Sequence, residues 1–126
     1  MYCSVQKAWC DEMKYMLQVR FNGADAVIRS LPAGEQEKIT AEFVAVRKSS
    51  GVLDGNQLDA RSSAKTVRVN DGQTLVTEGP AVDAGAEVNG YYIYDAPDLA
   101  AAIAFAARIP VARMGGTVEV RAMVER

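Results

Sequence analysis

Arg20, Arg68 and Arg121, the hydroxyls of Tyr92 and Tyr94, the amide of Gln18 and the carboxylate of Glu119 are the side chains best suited to chemistry on a small molecule. A guanidinium presents a planar fork of donors that matches carboxylate geometry. With Glu119 as base, a tyrosine as proton donor and the arginines holding developing negative charge, the set makes a cofactor-free enzyme. Without turnover it makes a binding site for an anionic or aromatic small molecule. A third use is structural: Glu119 pairs with an arginine across a subunit interface and the tyrosines pack, because an unpaired buried charge is costly.

The chain contains no histidine. That removes Ser-His-Asp and Cys-His triads, histidine-based metal centres and the usual neutral-pH acid-base group. Gly115-Gly116 and Gly79-Pro80 lack the spacing of a phosphate-binding loop or a dinucleotide fingerprint. Cys3 and Cys10 give two ligands where zinc usually takes four, so neither a metal nor a cofactor is expected.

Positioning those side chains requires a sheet. Lys14 to Phe21 alternates Tyr15, Leu17, Val19 and Phe21 against Lys14, Met16, Gln18 and Arg20, the pattern of a strand with one apolar face. A short helical piece over 26–30 precedes Pro32. From Gly34 to Ser50, Ile39, Phe43 and Val46 mark a helical stripe, with acidic residues early, basic residues late and Gly51 placed as C′. A strand from Val52 to Leu58 is interrupted by Asp54-Gly55-Asn56, a turn or bulge signal. Ala64 to Asn70, Asp71-Gly72 and Gln73 to Val76 read as a hairpin. Residues 81–89 are expected to form a mobile loop over a sheet edge.

Gly90-Tyr91-Tyr92-Ile93-Tyr94 then reads as a strand ending near Asp95. Asp98 caps a helix whose apolar stripe is Leu99, Ala102, Ile103, Ala106 and Ile109, and Pro110 ends it. Thr117 to Arg121 alternates again as a last strand. If the apolar members of each strand face the helices, then Gln18, Arg20, Arg68, Tyr92, Tyr94, Glu119 and Arg121 share the opposite face.

Length and composition bound the partners. A chain of 126 residues fits one domain and hides roughly two thirds of its unfolded surface on folding. The formal charge of −2 comes from 14 basic and 16 acidic residues without long blocks, so no broad positive face is expected to attract nucleic acid. No apolar run approaches the roughly 20 residues of a membrane span, and the start lacks a signal-peptide pattern, so a cytoplasmic protein without a membrane partner is expected. Residues 1–12 read as an N-terminal extension, with Trp9 and two thiols expected to stay reduced.

Leu75-Val76-Thr77-Glu78-Gly79-Pro80, Gly90-Tyr91-Tyr92, Pro97-Asp98-Leu99 and Gly116-Thr117-Val118-Glu119-Val120-Arg121 together resemble the YCII-related family, in the branch named for an Asp-Gly-Pro-Phe (DGPF) motif. Met13 to Leu17 looks like the family's first strand and Gly51-Val52-Leu53 like its turn into the second, so the resemblance covers Met13 to Glu125 within a domain taken as 13–126. It implies a ferredoxin-like α+β fold, β-α-β-β-α-β with an added β-hairpin, which pairs through its sheets as a homodimer, a dimeric α+β barrel. It implies no established reaction. Relatives outside the branch carry a histidine and an aspartate proposed as a catalytic pair, which this chain cannot inherit.

The motif loop itself departs from the branch. Glu78 stands at the aspartate position and Ala81 at the phenylalanine position, with Gly79 and Pro80 retained; Ala84-Gly85-Ala86 replaces a polar Thr-Lys-Glu run. The expectation is therefore a homodimeric small-molecule-binding or regulatory module without a complete catalytic constellation. Two alternatives stay open. One is the cofactor-free enzyme, acting on a small polar or aromatic metabolite. The other is an interaction domain tied to sigma-factor regulation, since the resemblance places genes of this branch near extracytoplasmic-function sigma factors.

Overall fold

The computed structural model describes residues 13–83 and 87–124. The expected extension of residues 1–12, with Cys3, Trp9 and Cys10, and the Ala84-Gly85-Ala86 stretch lie outside the described residues. In chain order the elements are β1 (Met13–Arg20), α1 (Ala24–Arg29), α2 (Ala33–Arg47), β2 (Val52–Gln57), β3 (Lys65–Asn70), β4 (Gln73–Glu78), β5 (Gly90–Ala96), α3 (Leu99–Ala106) and β6 (Thr117–Ala122). Short 3-10 turns occupy Arg61–Ser63 and Pro110–Arg113. The architecture is α+β with antiparallel sheets.

Alternation in β1 decides the layering. Tyr15, Leu17 and Val19 are buried, whereas Met16, Gln18 and Arg20, on the other side of the pleat, are only half-buried. The buried three join Val46 of α2, Ala102, Phe105 and Ala106 of α3, and Ile109 and Val111 beyond it, in one core. Both longer helices therefore cover the same face of a four-stranded sheet ordered β2-β5-β1-β6, in which every neighbouring pair is antiparallel. The opposite face is open.

Local signals explain most boundaries. The Asp98 carboxylate accepts the Ala101 backbone N–H at 2.9 Å, the expected N-cap of α3. Glu35 in the first turn of α2 and Arg47 in its last suit the helix dipole. Gly51 is not the C′ residue of α2, which closes at Lys48; its φ of 97° serves the turn into β2 instead. A Cβ there would lie 2.9 Å from both the Asp95 carbonyl and the Tyr94 ring. Asp54-Gly55-Asn56 is a bulge within a continuous β2, where the register against β5 shifts between Val52 and Asp54.

Two expectations about packing are corrected. The α3 core face is Ala102, Phe105 and Ala106, and Leu99 and Ile103 are exposed. An alanine-rich helix offers no polar stripe to mark its outer side, so spacing alone could not choose the face. The second correction concerns β3 and β4, which among the described residues pair only with each other as a separate two-stranded ribbon, outside the four-stranded sheet. Asp71 and Gly72 both have positive φ, 51° and 77°, as a two-residue primed turn requires.

Candidate functional site

The open face of the sheet is organised in cross-strand rows. Asn56, Tyr91, Gln18 and Glu119 form one row across β2, β5, β1 and β6, and Asp54, Ile93, Met16 and Arg121 form the next. Polar and charged groups thus flank a floor made by Met16 and Ile93. Gln18, Arg20, Glu119 and Arg121 stand where the sequence placed them.

Tyr92 and Tyr94 do not. Tyr92 is paired with Leu17 and Tyr94 with Tyr15, so both project to the helix side. The Tyr94 ring stacks on Phe105 with centroids 4.0 Å apart and planes 7° from parallel, and the Arg108 guanidinium lies 5.3 Å from the Phe105 centroid. Tyr92 packs over Gly55, where a Cβ would come within 2.6 Å of its ring. Burial pushes the Tyr92 hydroxyl pKa above its ordinary 10.0, with the Arg47 charge pulling partly back. A phenol so placed is a poor proton donor. The error has a plain cause: Tyr-Tyr-Ile-Tyr has no polar-apolar contrast, so alternation leaves its phase undecided. Only pairing with β1 sets it.

Arg68 is also misplaced by the sequence reading. It lies on the exposed ribbon, opposite Leu75, and belongs to a different sheet from Arg20 and Arg121. The motif loop begins on the same ribbon. Glu78 accepts from the Lys65 ammonium at 2.7 Å across the ribbon's base, Gly79 turns at φ 96°, and the Gly79 carbonyl accepts the Thr66 hydroxyl at 2.8 Å. Glu78 is thus committed to an exposed ion pair and Gly79 to backbone shape. Beyond Pro80, Arg61 donates to the Val82 carbonyl at 3.2 Å and sits 3.7 Å from the Glu87 carboxylate. The ends of the 81–89 loop are tied to the rest of the chain through this arginine and through Asn89, whose backbone N–H donates to Val19 and whose carbonyl accepts from Leu58.

Electrostatics on the open face separate paired from unpaired groups. Arg20 donates to the Glu119 carboxylate at 2.7 Å and to Gln18 Oε1 at 3.3 Å. Glu119 is therefore bound to its own protomer's Arg20, and its carboxylate is already engaged in an ion pair. Across the face, Tyr91 accepts from Asn56 Nδ2 at 2.9 Å and donates to Asp54 Oδ2 at 3.3 Å. Sequence reasoning missed this Asp54-Asn56-Tyr91 cluster. The signal was present, since Asp54 and Asn56 flank the bulge glycine, but turn chemistry accounts equally well for those residues. Arg121, by contrast, forms no ion pair or side-chain hydrogen bond among the described residues.

The open face is formed by β2, β5, β1 and β6. A groove of about 410 Å³ lies elsewhere, lined by α1, α2 and the Arg113-Met114 segment, and Arg113 bridges it to Glu42. Among the described residues, no three acidic or thiol side chains gather closely enough to hold a metal ion, and no helix is long and apolar enough to cross a membrane. Residues 13–125 match the family model described as the YCII-related domain, and no curated protein matches the chain.

Proposed function

The chain belongs to the YCII-related family, and from that premise we propose that it is a homodimeric small-molecule-binding module rather than a catalyst. The antiparallel order β2-β5-β1-β6 with two helices on one face supports a ferredoxin-like reading of the fold. The retained Gly79-Pro80 turn supports placement in the DGPF branch. Two copies laying their open faces together would enclose Met16, Ile93 and the two polar rows.

The observation that carries the binding reading is Arg121. It is the open-face guanidinium with no counter-charge among the described residues, while Arg20 and Glu119 neutralise one another at 2.7 Å. Once enclosed, a lone guanidinium needs an anion, because desolvating an unpaired charge costs several kcal/mol. A small carboxylate with an apolar or aromatic body fits: its carboxylate takes the arginine fork, its body lies on Met16 and Ile93, and Gln18, Asn56 and Tyr91 offer directional hydrogen bonds. Catalysis is disfavoured because Glu119 is engaged and Tyr92 and Tyr94 lie on the helix side.

Titration calorimetry with benzoate and succinate tests the reading. Binding of at least one is expected, weakened by about tenfold or more in Arg121→Ala, as loss of a charge-assisted bidentate pair requires. Equal affinity of Arg121→Ala and the unaltered protein would overturn it.

A further inference from the structure

The β3-β4 ribbon has two unlike faces. Register puts Val67 opposite Val76 and Val69 opposite Thr74 on one side, with the Lys65-Glu78 pair at the base of that side, and puts Thr66, Arg68, Asn70, Gln73 and Thr77, with Leu75 as the one apolar exception, on the other. Such alternation is the pattern of strands with one covered face. Yet no residue of either strand is buried, and Val67, Val69 and Val76 are 59%, 69% and 60% exposed. A two-stranded ribbon standing alone in water is marginally stable at best. Its Lys65-Glu78 pair and primed turn shape it without covering the valines.

We propose that this ribbon is an intersubunit arm, its valine face seated on a second copy of the chain. The inference rests on the dimeric reading above and adds the element that completes the interface. Area argues for it. Four strands about 4.8 Å apart and six residues long at about 3.3 Å each present a projected face of about 400 Å², a modest base for an interface that in standard complexes buries roughly 800 Å² of accessible surface on each partner. The ribbon adds about half as much again, and its three valines are exposed apolar strand residues that lie outside the four-stranded sheet. A second copy is also the occupant that brings a matching element. Under two-fold symmetry each arm covers the other subunit, so both valine faces are buried by one interaction.

The test uses the full chain and the double variant Val67→Thr/Val76→Thr, which keeps β-branched residues in the ribbon. Sedimentation across concentration should show the unaltered protein dimerising, and a dimer dissociation constant raised about tenfold or more in the variant, since two side chains would bury hydroxyls without partners. Hydrogen exchange on the unaltered protein provides a second reading, with amides of residues 65–78 gaining protection as concentration rises. A variant dimerising as tightly as the unaltered protein, or ribbon exchange that is independent of concentration while the sheet's is not, would overturn the arm and leave the dimer standing. A protein that stays monomeric throughout would overturn both.

Discussion

Removing the Arg20-Glu119 pair in a double-mutant cycle reads directly whether the open sheet face is wet or covered. The guanidinium-carboxylate distance is 2.7 Å, and the two side chains are 24% and 44% exposed. For a pair so placed, solvent screening limits the coupling to about 0.2–1 kcal/mol. Covering the face with a second subunit lowers the local dielectric and removes salt screening. Coupling between close charges at protein interfaces then exceeds about 1.5 kcal/mol. The four proteins required are the unaltered chain, Arg20→Gln, Glu119→Gln and the double variant.

Urea unfolding of all four at two protein concentrations, about a hundredfold apart, isolates the pairwise term at each. Gln18 Oε1, 3.3 Å from the same guanidinium, remains in every protein, so its contribution cancels in the cycle. The expected result is a coupling below about 1 kcal/mol when dilute, rising by about 1 kcal/mol or more when concentrated. A coupling that stays low while sedimentation shows a dimer would refute the face-to-face arrangement, since the charges would then have remained in water.

Two further expectations follow from the packed side of the sheet. Gly116→Ala should destabilise the chain by about 2–3 kcal/mol in urea unfolding. A Cβ there meets Val111 Cγ1 at 2.4 Å and the Arg20 carbonyl at 2.7 Å, and the backbone atom cannot rotate away. Unchanged stability would mean that the β6 entrance gives way to an added methyl, which would refute the close packing at Gly116. Tyr92 predicts a pH effect. Its folded pKa lies above the unfolded 10.0 because burial disfavours the phenolate. The folded state therefore holds the proton more tightly, and the associated stability is fully present below pH 10.0 and lost as pH rises through the folded value. Tyr92→Phe should flatten the alkaline fall in stability measured by circular dichroism; an identical slope would refute the assignment.

Much of the scaffold was legible because its signals are local. The alternation from Tyr15 to Val19, the Asp98 cap, the Asp71-Gly72 turn and the charge order of α2 each follow from one stretch of chain and reappear in the structure. Within the candidate site, Gln18 and Arg20 were legible for the same reason, since Leu17 and Val19 beside them are plainly apolar. Glu119 and Arg121 alternate with Val118 and Val120 and were equally readable. Arg68 failed although its own alternation was read correctly. A hairpin's periodicity says which residues share a side, and says nothing about which sheet the hairpin joins.

By itself, then, the chain determined where strands, helices and turns form, that no histidine chemistry is available, and which side of β1 and β6 is polar. Tertiary structure decided the rest. It turned Tyr92 and Tyr94 toward the helices and Tyr91 outward, left Leu99 and Ile103 exposed, joined Asp54 and Asn56 to Tyr91, and gave Glu119 to Arg20 while Arg121 stayed without a partner among the described residues. The physical reason is common to all of these. Where a stretch alternates in polarity, the hydrophobic effect selects its inward side locally; where it is uniformly apolar or aromatic, only pairing with a neighbouring strand or helix breaks the tie.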